Sequence, residues 1–139
     1  MIYQATAAIC EAFDQAGIRY SVNEAEEMSS VEASFKGKTV ASARVCFISK
    51  DESNDVAVRL MCLLRAPAEK RAQVLEQINS VNRKYRFLKF VLSDNGNVHG
   101  EYDFPAELNE VGAVAVELLA RTMQIVDEAY PDLMHAAWS

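Results

Sequence analysis

Apolar residues at Ile2, Ala5, Ile9, Phe13 and Ala16 recur at helical spacing, and Gly17 follows directly as a left-handed stop, which predicts a first helix over Ile2–Ala16. Ile18, Tyr20 and Val22 then alternate with polar residues until the acidic run Asn23-Glu24-Ala25-Glu26-Glu27, a pattern that fits either an edge strand or a loop. Val31, Ala33 and Phe35 alternate up to Lys36-Gly37-Lys38, and Ala41, Ala43, Val45 and Phe47 alternate after it, which predicts a hairpin with a tight turn. The polar stretch from Lys50 to Asp55 hands over to a strand from Val56 to Leu64. Its alternation fades towards the end, as in a central strand or one covered on its second face.

Pro67 suits the first turn of a helix, where a missing N–H costs nothing, and Leu75, Ile78, Val81, Asn82 and Tyr85 mark a buried stripe in a second helix ending near Lys84. A second hairpin follows. Its arms are Phe87 to Ser93 and Val98 to Phe104, and Asn95-Gly96 in the turn is a strong local hairpin signal. The last helix, about Glu107 to Ala129, carries Val111, Ala115, Leu118, Thr122, Ile125 and Ala129 on one face and is ended by Pro131. The predicted fold class is α+β, with the order α-β-β-β-α-β-β-α, about five strands and three helices in a single domain over residues 1–139. The predicted core is Ile9, Phe13, Phe35, Val45, Phe47, Val58, Leu60, Leu75, Ile78, Phe90, Leu118 and Ile125.

Half of the 139 residues are apolar and about a quarter charged, enough for one core that buries roughly two thirds of the unfolded surface. A net charge of -6 argues against nucleic acid as a partner, because binding to phosphate backbones rests on clustered Lys and Arg. The apolar N-terminus has no basic segment and meets Glu11 and Asp14 at once, so it does not read as a signal peptide. Glu117, Arg121 and Gln124 interrupt the longest apolar segment, which predicts no membrane span. Cys10, Cys46 and Cys62 form no CxxC and have no neighbouring histidine. Neither a disulfide framework nor a zinc site is suggested, and a reducing cytoplasm fits best.

No catalytic, cofactor-binding or metal-ligating set is evident. His99 and His135 stand alone and are expected in solvent, and the acid pairs Glu26-Glu27 and Asp51-Glu52 lie in turns. Ser29, Ser30 and Ser49 lack a nucleophile-elbow context, and no glycine-rich loop resembles a nucleotide site. Asn79 and Asn82 are expected to tie the second helix to the following strand. Surplus apolar residues are the better lead. Val116, Ala120 and Met123 widen the arc of the last helix, and Cys46, Ile48, Met61 and Leu63 fall on the second faces of their strands. Each set either thickens one internal core or forms an interface, so Cys46, Ile48, Met61, Leu63, Val116 and Met123 are the candidate interface residues.

Ile78, Asn79, Val81 and Asn82, then Phe87 and Phe90, then Asn95-Gly96, then Tyr102 and Phe104, and a long helix reaching Ala129-Tyr130-Pro131 form a pattern that resembles the YbjN-like family, labelled bacterial sensory-transduction regulators. The similarity is strongest from about Ala66 to Leu133. It implies a fold like that of type III secretion chaperones, three helices against a strongly curved antiparallel sheet, commonly as homodimers, with no catalytic residues to carry over. The expected function is a non-enzymatic cytoplasmic regulator or chaperone-like adaptor that binds an unidentified protein partner through apolar sheet and helix surfaces. The alternative is a small-molecule sensor with an apolar pocket lined by Phe47, Leu60, Phe90 and Tyr102.

Overall fold

Val31 and Ala33, Val45 and Phe47, Val56, Val58 and Leu60, and Val98 all turn to one side of a single antiparallel sheet and are buried there. The computed structural model describes residues 1–139. In chain order the elements are α1 (Gln4–Ala16), β1 (Ser21–Ala25), β2 (Met28–Phe35), β3 (Ala43–Ser49), β4 (Val56–Arg65), a 3-10 turn (Ala68–Lys70), α2 (Arg71–Lys84), β5 (Lys89–Leu92), β6 (Asn97–Phe104) and α3 (Leu108–Trp138). The sheet order is β1-β2-β3-β4-β6-β5. It therefore has six strands rather than five. The acidic stretch that follows Val22 is itself strand β1, which pairs with β2 across a turn at Glu26-Glu27.

The three helices share one side of the sheet. α1 lies on β2 and β3, where Phe13 meets Phe47 edge to face with ring centres 5.7 Å apart. Its first turn is tied to β2: the Ser29 hydroxyl accepts the Tyr3 N–H at 3.1 Å and bonds Thr6 Oγ1 at 2.8 Å. α2 lies on β5, and α3 spans α1 and α2. The Tyr102 hydroxyl reaches from β6 to Thr122 Oγ1 at 2.8 Å, and burial pushes its pKa up.

Several sequence expectations are corrected. α1 begins at Gln4, since Met1 and Ile2 are exposed. The buried stripe of α2 is Val74, Ile78 and Val81, and Leu75 is 52% exposed. The 3-10 turn after Pro67 sets the phase of the helix one residue away from the one the sequence suggested. Phe35 and Ile125 are half-buried at the margin of the core. The link between β2 and β3 is longer than a tight turn, because Ala41 is exposed and β3 starts at Ala43.

α3 does not stop at Pro131 but runs on to Trp138. Proline lacks the N–H that would have bonded the carbonyl four residues back, and that carbonyl, on Asp127, accepts the Thr39 hydroxyl at 2.6 Å instead. The Asp127 carboxylate also accepts the N–H groups of Lys38 at 2.9 Å and Thr39 at 2.7 Å. These bonds hold its pKa down at about 2. Beyond the proline, Leu133 and Ala137 are buried and stabilise the added turns.

The two edges of the sheet differ. On β5 the Asn82 side chain donates to the Phe90 carbonyl at 3.0 Å and accepts the Phe90 N–H at 2.8 Å, so that one amide occupies the middle of the edge as a neighbouring strand would. Asn82 thus ties α2 to the next strand as expected, whereas Asn79 is exposed. On the other edge β1 is exposed along its whole length.

Candidate functional site

The side of the sheet away from the helices carries Cys46 and Ile48 from β3, Ala57 and Met61 from β4, and Val91 from β5. Alternation puts them there: their neighbours Val45, Phe47, Val58 and Leu60 fill the core, so every second residue faces out. No helix covers this outer face. Cys46, Ile48, Ala57 and Val91 are half-buried by one another, and Met61 is 42% exposed.

Ion pairs border the apolar strip. Arg44 lies 3.6 Å from Glu32 on one side. On the other, Arg59 bonds Asp103 at 2.9 Å and stands 3.9 Å from Glu101, and its Nη1 also donates to the carbonyls of Val58 and Tyr102. Where the β3–β4 loop folds past the face, Ile48, Ala57 and Pro105 with Lys50, Asp55 and Arg59 line an open groove of about 480 Å³. The groove mixes apolar floor with both signs of charge. It suits a peptide-like segment better than a single small anion or cation.

Burial raises the pKa of the Cys46 thiol to about 11, with the Glu32 carboxylate adding to the effect. The thiol is therefore protonated and inert at neutral pH. Beside Met61 the β4–β6 ladder is interrupted between Leu60 and Leu64, and Cys62 adopts a left-handed backbone with φ 52. His99 Nδ1 accepts the Cys62 N–H at 2.9 Å. His99 is thus half-buried and engaged rather than simply in solvent, a role set by a bulge that no local pattern announces.

The six candidate interface residues divide between two surfaces. Cys46, Ile48 and Met61 belong to the outer face. Leu63, beyond the bulge, is half-buried against the core, so the strand's apolar end is only partly an outer surface. Val116 and Met123 lie on the helix side, where they and Ala120 line an apolar cleft of about 350 Å³ with Ile18, Ala33 and Phe35. Neither set is fully buried within the chain. The acid pairs Glu26-Glu27 and Asp51-Glu52 are exposed in turns, His135 is exposed near the end of α3, and no three His, Cys, Asp or Glu side chains converge as a metal site would need. Phe47, Leu60 and Phe90 are closed into the core with Tyr102 packed against them, and none of the four lines a main cavity, so they form no ligand chamber.

Sequence reasoning did not single out Arg59, Ala57 or Lys50. The one available signal was Arg59 as the lone charge within the apolar run Val56–Leu64, placed in phase with the outward residues.

An antiparallel sheet with its helices on one side and a bare, partly apolar face on the other defines a protein built to present a surface rather than to enclose a reaction. The sequence agrees with that class. Residues 6–134 match the model of the YbjN family, which carries the description "Putative bacterial sensory transduction regulator", and the chain belongs to that family. Among solved structures it is similar to YbjN from E. coli, described as "a putative transcription regulator", with a TM-score of 0.56 and 10% identity over 90% of each chain; at that identity the likeness concerns the fold. No curated protein matches the chain. No helix is long and apolar enough to cross a membrane.

Proposed function

We propose that this protein is a non-enzymatic cytoplasmic regulator, a chaperone-like adaptor that binds a protein partner on the outer face of its sheet. One observation carries the proposal: Cys46, Ile48, Ala57 and Met61 form an apolar strip that nothing in the chain covers, beside a groove of about 480 Å³. An apolar centre ringed by ion pairs is the usual anatomy of a protein interface. The groove offers an extended polypeptide both apolar floor and hydrogen-bonding rim. Membership of a regulator family supports the general role.

The test is affinity capture from the native host with the wild-type chain and with Ile48→Asp and Met61→Asp. We expect one protein recovered at a fixed ratio by the wild type and lost by both variants, which should keep the wild-type circular dichroism because both sites face outward. Equal recovery by all three would refute the placement of the binding surface.

A further inference from the structure

Three cavities on the helix side share their walls and form one continuous furrow. The first lies between α1 and α3 and is lined by Ala8, Glu11, Ala12, Asn109 and Ala113. It meets the apolar cleft at Ala16 and Val116, and that cleft meets a third cavity, lined by Lys36 and Lys38, at Phe35 and Met123. Along α3 the furrow runs from Asn109 to Asp127, roughly 27 Å at 1.5 Å per residue.

Its floor is made of small side chains. At one end Gly112 packs so tightly against α1 that a Cβ there would stand 2.8 Å from both Ala12 Cβ and the Ala8 carbonyl. A floor so low admits a helix closely.

The ends of the furrow differ in charge. Glu11 lines the first end, where Glu107 and Glu110 open α3. Lys36 and Lys38 line the other. Asp127 at that end is already engaged by the Lys38 and Thr39 N–H groups and does not balance the lysines. Between the ends lie Val116, Ala120 and Met123. Near the midpoint stands the ion pair Glu117–Arg121, at 2.7 Å.

We infer that the occupant of this furrow is a second copy of the chain, with its α3 laid antiparallel about a two-fold axis near Leu119. The argument is charge complementarity under that symmetry. An antiparallel copy sets each Glu11 end against a Lys36–Lys38 end, brings Glu117 towards the partner's Arg121, and places apolar middle on apolar middle. A parallel arrangement would oppose like charges at both ends. The furrow and the outer face of the sheet are on opposite sides of the molecule, so this inference stands or falls independently of the adaptor role.

The test is sedimentation equilibrium of the full chain between 1 and 200 µM, in 20 mM and 500 mM salt. We expect a species of twice the 15.5 kDa chain mass, weakened by salt. Ala120→Glu, at an exposed position near the axis, should raise the dissociation constant at least tenfold without altering the circular dichroism. Glu11→Lys alone, and Lys36→Glu with Lys38→Glu, should each weaken association several-fold, and the triple variant should restore it. A monomer at all concentrations, or a dimer indifferent to Ala120→Glu, would overturn the inference. So would a triple variant no tighter than its parents.

Discussion

The amide of Asn82 does the work of a whole neighbouring strand at Phe90, and its removal should be measurable in two ways. Asn82→Ala deletes two hydrogen bonds to the Phe90 backbone, of 3.0 and 2.8 Å. At a net value of about 0.5–1.5 kcal/mol per bond, the loss is about 1–3 kcal/mol, or roughly 3–10 °C in Tm for a domain of this size. Asn82→Asp is the sharper probe. An ionised aspartate still accepts the Phe90 N–H but sets a second oxygen against the Phe90 carbonyl, whereas the protonated acid can donate to that carbonyl much as the amide does. The folded state therefore favours the neutral acid, and the carboxyl pKa in the fold lies above its unfolded value. The deficit of this variant relative to the wild type is full above the folded pKa and disappears as pH falls below the unfolded one, about 3.9. Urea unfolding followed by circular dichroism at pH 7 and pH 4, with wild type measured at each pH, gives both numbers. An alanine variant within about 0.5 kcal/mol of wild type would refute the structural account of this edge, as would an aspartate variant whose deficit is the same at both pH values.

Gly96 sits at φ 90, and a Cβ there would stand 2.8 Å from the Ala66 carbonyl, the neighbour whose N–H bonds Gly96 in return. Gly96→Ala should therefore cost at least about 1–2 kcal/mol for the left-handed backbone alone, read as a lower urea midpoint with an unchanged slope. The Asp127 carboxylate, held at about 2 by the N–H groups of the β2–β3 loop, stabilises the fold above its ordinary value of 3.8. Because the folded pKa is depressed, that contribution is lost as pH falls from 3.8 towards 2. Amide exchange at Lys38 and Thr39 should quicken over that interval relative to the β4 amides, and in Asp127→Ala it should be fast already at pH 7.

The parts of the fold that were legible in the sequence are those whose signals are local. The turn at Asn95-Gly96 and the period-two alternation through Val45 and Phe47 define hairpins without help from distant residues. The phase of α2 was not legible, because Val74 and Leu75 are both apolar and only contact with β5 and α3 decides which is buried. Pro131 shows the same limit more clearly. Its local meaning is a helix stop, and the hydroxyl that accommodates it comes from Thr39, 88 residues away from the accepting carbonyl. At the candidate surfaces, alternation identified Cys46, Ile48 and Met61 as second-face residues, and helical spacing identified Val116 and Met123. That these form two surfaces on opposite sides follows from topology, which the spacing of residues within single elements does not contain.

The inequality of the sheet's edges also decides how copies of the chain can join through their backbones. Growth into a filament needs two free edges per molecule, one to receive and one to offer, and here only β1 is free while Asn82 occupies β5. Strand pairing between copies can join only β1 to β1. Such a union consumes both free edges and ends at two. One asparagine thus makes edge-to-edge association self-limiting, and a chain without it gains a second valence and with it a route to open-ended fibres.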